Sequence, residues 1–269
     1  SLGNAAQTPD IALDTTSLNQ PVSINSADLT ATFEAGMTLD SVQSILAEHN
    51  QFLAMDAALS NNATIGGILA SGTSGPLKWQ YGNPRDLVLG MKVVQADGSI
   101  TKSGGQVVKN VSGYDLNKLY IGARGDLGSL LDVTFRLQPL PEKVQNSAVP
   151  LDSLHDAFPT AAAGSRLPLM VETVVLRKSP DWEVTIIIAG GEEVRKTVED
   201  AIPGDISWGR EVNYSENSDS LYDINISVPK SYLKSFFKSV GDLDGLSLWS
   251  LPEVGICRLN LKDAGQLQQ

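Results

Sequence analysis

The chain has 269 residues, of which 42% are hydrophobic and 19% charged, and a formal net charge of −11. This is a globular composition, long enough to bury a sizeable core in one large or two ordinary domains, and it excludes an intrinsically disordered chain. The acidic balance makes a poor nucleic-acid binder, because a phosphate backbone asks for clustered Lys and Arg, while a small anionic substrate needs only a local cation.

In chain order, Ile11 to Leu13 reads as a short buried strand, and Leu29 to Phe33 alternates apolar and polar residues as a half-buried strand does. Thr38 is a helix N-cap with Asp40 in the first turn, and Leu39, Val42, Ile45 and Leu46 form the apolar face of a helix ending near His49-Asn50. Phe52 to Leu59 is irregular. Asp86 to Gln95 is a strongly apolar strand, Asp97-Gly98 a two-residue hairpin signal, and Ser99 to Lys102 the returning strand, broken by Gly104-Gly105. A short helix starts at Ser112 or Asp115 and runs through Tyr120. Leu127 to Leu137 is a strand closed by Pro139 and Pro141.

Pro139 to Pro150 reads as a boundary, beyond which glycine thins out. Leu151 to Ala163 is helical in part. Leu169 to Arg177 and Glu183 to Ala189 are strands joined by Ser179-Pro180-Asp181. Glu192 to Ile202 is a helix with Val194, Val198 and Ile202 on one face. Leu221 to Val228 is a strand, and Pro229 opens a helix whose core face is Tyr232, Leu233, Phe236, Phe237 and Val240. Leu246 to Leu251 and Val254 to Leu261 are paired strands. The second half thus reads as strand–strand–helix used twice, the pattern of an antiparallel sheet with helices on one face, and the chain as a whole as α+β.

The densest signal lies in Asn61 to Leu137. Glycine inside an element is destabilising by roughly 0.5–1 kcal/mol relative to alanine, so its recurrence there implies close backbone approach or left-handed turns. In Ala63-Thr64-Ile65-Gly66-Gly67, Thr64 can cap a helix whose first amides attract an anion such as a pyrophosphate; a small-residue helix packed on a sheet satisfies the same pattern. The ordered series TIGG, ASGTSG, YGN-x-RD, GGQVVKNVSGYDLNKL and GARGDLGSLLDVTFRL resembles the PCMH-type FAD-binding domain of the vanillyl-alcohol oxidase superfamily. Within it, KSGGQVVKNVSGYDLNKLYIG is similar to the FAD-binding E-type subunit of glycolate oxidase, or glycolate dehydrogenase.

That resemblance implies a PCMH-type FAD domain over residues 1–141 and an α+β cap-like domain, shorter than is usual in the family, over 142–269. It implies non-covalent FAD. Carried over by position, Thr64, Ile65, Gly66 and Gly67 lie on the pyrophosphate, and Gly72, Thr73, Ser74 and Gly75 line the next turn toward the ring. Lys109, Asn110, Gly113 and Tyr114 match the KN-x-SGYD segment near the cofactor, and Gly125, Leu127, Gly128 and Leu130 the segment beside the polar edge of the ring. The family's domain opens with a strand and a glycine-rich loop that are missing ahead of Ser1-Leu2-Gly3, which implies a trimmed or incomplete amino end and leaves FAD binding by this chain alone in question.

His49, His155 and Cys257 fall in none of the family's covalent-attachment motifs. The histidine-rich cap segment of the catalytic sister subunits has no counterpart, so no catalytic residue is assigned. Lys78, Arg85 and Arg124 read first as structural or solvated charges. The resemblance implies electron relay within a complex with a sister flavin subunit and an iron–sulfur subunit, a small 2-hydroxy acid being the substrate. A self-sufficient FAD oxidoreductase of the same fold, and a structural subunit that has lost its cofactor, are the alternatives. One cysteine allows no internal disulfide and no multi-cysteine metal site, and a lone Cys in an apolar strand is a small core residue. No run approaches the roughly 18 apolar residues of a membrane span and no leader peptide opens the chain. The expected location is cytoplasmic, at most peripheral to the inner membrane through partners, with no metal and no nucleic acid bound.

Overall fold

The computed structural model describes residues 12–56, 62–105, 115–167, 171–178, 181–202, 204–209, 222–240, 247–252 and 255–261. The chain divides into two compact units, residues 1–140 and 141–269. The first contains β1 (Pro21–Asn25), β2 (Thr30–Glu34), α1 (Leu39–Ala47), β3 (Gln51–Phe52), α2 (Ile65–Ser71), α3 (Lys78–Tyr81), α4 (Pro84–Leu87), β4 (Val88–Val94), β5 (Ile100–Gly104), α5 (Asn117–Tyr120), β6 (Ser129–Arg136) and β7 (Gln138–Pro139). Five strands form an antiparallel sheet in the order β1-β2-β6-β4-β5, and β3 pairs with β7 apart from it.

The sheet folds around its apolar residues. Phe33, Val133, Phe135, Met91 and Val93 pack with Val42 and Leu46 of α1 and Ile65, Ile68 and Leu69 of α2 in one buried core. Fully burying a side chain of this kind contributes about 1.5–3 kcal/mol, so this cluster dominates the unit's stability. Thr38 caps α1 as its sequence predicts, with Oγ1 accepting from Ser41 N at 3.2 Å. The Asp97-Gly98 turn also forms, with Gly98 at φ 83° and Ser99 N donating to the Asp97 carboxylate at 2.9 Å.

The second unit contains β8 (Val144–Leu151), α6 (Leu154–Gly164), β9 (Val171–Lys178), β10 (Trp182–Ala189), α7 (Glu192–Ala201), β11 (Ser207–Trp208), β12 (Tyr222–Ser227), a 3-10 turn (Lys230–Tyr232), α8 (Leu233–Val240), β13 (Ser247–Leu251) and β14 (Ile256–Leu261). Its seven strands run β11-β8-β10-β9-β13-β14-β12, each neighbouring pair antiparallel. The repeat is strand–helix–strand–strand, once as β8-α6-β9-β10 and once as β12-α8-β13-β14. β9 and β13 meet at the centre. Phe237 of α8 stacks edge-on against Trp182 and against Phe158 of α6, and Gly164 lets α6 approach Ile186. On the alternate residues of β9 and β10, Arg177 donates to Glu183 at 3.0 Å.

Four sequence expectations change. The stretch from 144 to 151, read as part of a boundary and the start of a helix, is a full strand in register with β10 from Val144↔Ala189 to Leu151↔Trp182. Its two prolines hid it: Pro141 precedes the strand, and Pro150 sits near its end, where the missing donor is tolerated. The phase of the repeat shifts accordingly. Leu13 is 74% exposed and outside any strand, Ile11 lies outside the described residues, and the first strand among the described residues is β1. Tyr232, expected on a core face, is 66% exposed, because it belongs to the 3-10 turn ahead of α8.

Two adjacent glycines separate packing from propensity. A Cβ on Gly66 would lie 2.7 Å from Ala35 O and 2.9 Å from Ala35 Cβ, whereas one on Gly67 meets only Thr64 Oγ1 at 3.0 Å. Gly66→Ala is therefore expected to lower stability by about 1–3 kcal/mol in denaturant unfolding. Gly67→Ala is expected to stay within about 1 kcal/mol of wild type, its helix propensity offsetting the close hydroxyl. Equal effects from the two would contradict this packing.

Candidate functional site

The site is built outward from α2. Thr64 is extended (φ −81°, ψ 149°) and its Oγ1 accepts from Gly67 N at 3.1 Å, the N-cap its sequence predicts. Ile65, Ile68 and Leu69 recur at helical spacing and bury one face. Gly72 ends the helix in the left-handed region at φ 68°, its amide bonding back to Ile68 O and Leu69 O.

The first-turn amides are not bare, contrary to the expectation from sequence. Ile65 N donates to Met37 O at 2.9 Å and Gly66 N to Ala35 O at 2.8 Å, pinning α2 to the connection between β2 and α1, while Gly67 N is held by the Thr64 cap. Gly66 is thus a packing glycine. Among these three amides, that of exposed Gly67 is tied by a side-chain hydroxyl alone, a bond that can be exchanged without unfolding the helix.

Beyond α2, two turns close on its carboxyl end. In the first, Gly72 to Leu77, the Ser71 and Thr73 hydroxyls are 3.0 Å apart, and the Asp56 carboxylate accepts from Gly75 N at 2.8 Å and Leu77 N at 2.9 Å. Burial pushes the Asp56 carboxyl up from the ordinary aspartate range, and the Leu77 and Gly75 amides oppose that shift. In the second turn, 121–128, Gly122 N donates to Leu69 O and Arg124 N to Ala70 O, both at 2.8 Å. These bonds satisfy the carbonyls that a helix end leaves open. A Cβ on Gly72 would fall 3.1 Å from Gly122 Cα, so the two turns meet glycine against glycine. Left-handed backbone at Gly122, Arg124 and Gly125 (φ 84°, 54° and 89°) gives the second turn its path.

The same turn forms one wall of an open trough of about 720 Å³, lined by Leu13, Leu18, Val94, Gly125, Leu127 and Gly128 among others. That size falls within the roughly 300–1,000 Å³ of ligand pockets. The trough also carries Asp14 and Asp126 and no Lys or Arg, so it suits an uncharged, largely apolar ring and not a phosphate. Nothing lies within 4 Å of a Cβ placed on Gly125, and among the described residues the amides of Ser74, Gly125 and Leu127 take no hydrogen bond. Bare main chain with left-handed glycine is the surface that a cofactor held through backbone contacts needs.

The sequence-predicted residues therefore divide. Thr64, Ile65, Gly66, Gly67, Gly72, Thr73, Ser74 and Gly75 run along α2 and its exit turn, and the Leu69 and Ala70 carbonyls join them to the turn holding Gly125, Leu127 and Gly128. Leu130 starts inside β6 with its side chain in the core, so it offers backbone alone. Lys109, Asn110, Gly113 and Tyr114 lie outside the described residues. Of the cations, Arg85 donates to Ile121 O at 3.1 Å and steadies the second turn. Burial lowers the Lys78 ammonium, and Asp86 opposes this. Asp56, Gly122 and the trough residues Leu18 and Val94 were missed. Contacts about twenty or more residues apart carry no spacing signal; only the recurrence of glycine pointed at Gly122.

An antiparallel sheet with two glycine-rich turns closing on a capped short helix defines a cofactor-binding domain, and comparison gives its family. Residues 1–104 match the family described as FAD binding domain, a match consistent with a PCMH-type domain of the vanillyl-alcohol oxidase superfamily. Among curated relatives, D-2-hydroxyglutarate dehydrogenase of Xanthomonas citri pv. viticola is 36% identical over 168 residues, 61% of this chain and 36% of that protein. Glycolate oxidase subunit GlcE of Escherichia coli is 29% identical over 185 residues, 68% of this chain and 52% of that protein. Glycolate oxidase subunit GlcD of Bacillus subtilis is 36% identical over 126 residues, 46% of this chain and 27% of that protein. The matches thus span between about a quarter and half of these relatives' lengths. Two solved structures of alkyldihydroxyacetonephosphate synthase share the fold, with TM-scores of 0.67 and 0.68 at 12% and 14% identity, covering 93% of this chain and 59% and 62% of theirs.

Thr64→Ala removes the cap and leaves Gly67 N unpaired, with an expected loss of about 1 kcal/mol in urea unfolding. No measurable loss would mean that Thr64 does not hold the helix end.

Proposed function

We propose that this chain is the non-covalent FAD-binding part of an oxidoreductase acting on small 2-hydroxy acids, most specifically a subunit of a glycolate dehydrogenase-type complex. The observation that carries the reading is the seam at the end of α2, where Gly72 meets Gly122 and joins the exit turn of the helix to the segment that walls the trough. Relatives named for glycolate, D-lactate and D-2-hydroxyglutarate support the substrate class.

The residues present fit FAD. Gly125, Leu127 and Gly128 line a trough suited to an uncharged ring system, and the Thr64–Gly67 turn offers an exchangeable amide to the anionic part. Thr73 and Ser74 add a hydroxyl and an open amide on the turn between. When bound, the flavin supplies a hydride acceptor. The chain's part is to orient it through backbone groups and to exclude water with the apolar walls Leu18, Val94 and Leu131.

Both histidines are exposed, His49 past the end of α1 and His155 in the first turn of α6 beside Asp156, and neither lines the trough. A general base must lie within hydrogen-bond reach of the hydroxyl proton it takes. Substrate oxidation is accordingly assigned to a sister flavin subunit, with an iron–sulfur subunit as electron acceptor and this chain holding flavin within the assembly. Among the described residues no helix is long and apolar enough to cross a membrane. We place the complex in the cytoplasm, with any membrane association made through partners.

FAD titrated into the purified chain is expected to perturb its absorbance spectrum on binding and to raise the melting temperature. Ligand at 100 times Kd stabilises by about 2.7 kcal/mol. A chain that stays colourless after gel filtration and shows no FAD-dependent melting shift contradicts the reading.

A further inference from the structure

Asp56 lies just past the Leu53–Met55 segment, far in sequence from the Gly72–Leu77 turn, yet one carboxylate spans that turn. Oδ1 accepts from Gly75 N at 2.8 Å and Oδ2 from Leu77 N at 2.9 Å. Two bonds to alternate amides fix both position and tilt, which one bond cannot do. The turn is shaped to receive the group: a Cβ on Gly75 would fall 2.5 Å from Asp56 Cγ and 2.6 Å from either oxygen, so only glycine fits there. Gly75 and Pro76 are buried, whereas Thr73 and Ser74 are part-exposed. The anchored residues thus follow directly on an open stretch that carries a hydroxyl and, among the described residues, an unbonded amide.

We propose that Asp56 is a positioning residue for the flavin site, its ionised carboxylate locking the Gly72–Leu77 turn so that Thr73 and Ser74 face the cofactor. This rests on the reading of the chain as an FAD-binding subunit. Asp56 touches the turn and not the cofactor, so its effect is on affinity through loop geometry. The ionised group suits both bonds best: protonation leaves one oxygen a weaker acceptor and adds a proton beside an amide donor. Burial places that change above the ordinary aspartate value of about 3.9. Acid that protonates Asp56 therefore weakens this lock and lowers FAD affinity.

The two chain segments that meet here bring no second titratable group. The turn from Gly72 to Leu77 has no titratable side chain, and neither has the stretch from Ala57 to Asn61. The nearest charge on the following helix, Lys78, has Asp86 as its electrostatic partner.

The test is FAD affinity from neutral pH into the acid range for the full wild-type chain and Asp56→Asn, with the melting temperature of each apo form measured alongside. Asparagine presents one acceptor and one donor, so it reproduces the protonated state. Asp56→Asn is expected to bind FAD at least tenfold more weakly at neutral pH and to show a flat acid profile that wild type approaches on acidification. A merely structural role would lower the apo melting temperature and leave the shape of the profile unchanged. Gly75→Ala supplies a second probe, since its Cβ displaces the same carboxylate; its effect is expected to be smaller when combined with Asp56→Asn than in wild type. If wild type binds FAD and Asp56→Asn matches it in affinity and pH profile, the proposal fails while the flavoprotein reading stands. If Asp56→Asn does not fold, the wild-type acid profile and Gly75→Ala decide: a flat wild-type profile with unaltered Gly75→Ala affinity overturns the proposal. If wild type binds no FAD, both fall together.

Discussion

The amino-terminal unit depends on how the carboxyl end of α2 is closed. A short helix leaves its last carbonyls without partners, and here Leu69 O and Ala70 O are met by Gly122 N and Arg124 N at 2.8 Å. Such approach is possible because neither Gly72 nor Gly122 carries a side chain where the two turns touch. One pairing therefore satisfies the helix, fixes the left-handed path from Gly122 to Gly125, and sets the exit turn of α2 beside the segment that walls the trough. The apolar face of the same helix, Ile65, Ile68 and Leu69, is sunk in the core beneath, so the seam rests on the buried core of the unit.

Glycine serves different ends along this stretch. Gly66 is required by contact with Ala35, Gly75 by the Asp56 carboxylate, Gly72 by helix termination and the Gly122 contact, and Gly125 by a left-handed turn at an open surface. Of these, Gly125 alone faces space that a ligand could fill. A glycine-rich sequence is thus mainly a record of close packing, which holds a small number of main-chain groups in view.

Much of this was legible in the sequence because it is local. The Thr38 and Thr64 caps, the Leu39, Val42 and Leu46 face and the Asp97-Gly98 turn rest on residues each no more than four positions from the next. The ordered motifs likewise pointed to the family's fold. What could not be read depends on partners remote in the chain. Met37 and Ala35 take the first amides of α2 from some thirty residues upstream, and Asp56 reaches its turn across about twenty. β8 was lost because Pro141 and Pro150 imitate a linker, although neither removes a donor from the middle of the ladder. Tyr232 was misplaced because an apolar period was continued one residue too far, into the 3-10 turn that precedes α8.

On this reading the turns at the two ends of α2, with the 122–128 segment, form one flavin-binding surface. Amide hydrogen exchange on the full chain with and without FAD tests it most directly, since exchange reports the opening of individual main-chain groups. The account predicts that FAD slows exchange at residues 64–67, 73–75 and 122–128 and leaves the β8–β10 ladder of the second unit unchanged. Protection confined to other segments, or none in the presence of bound flavin, would contradict it.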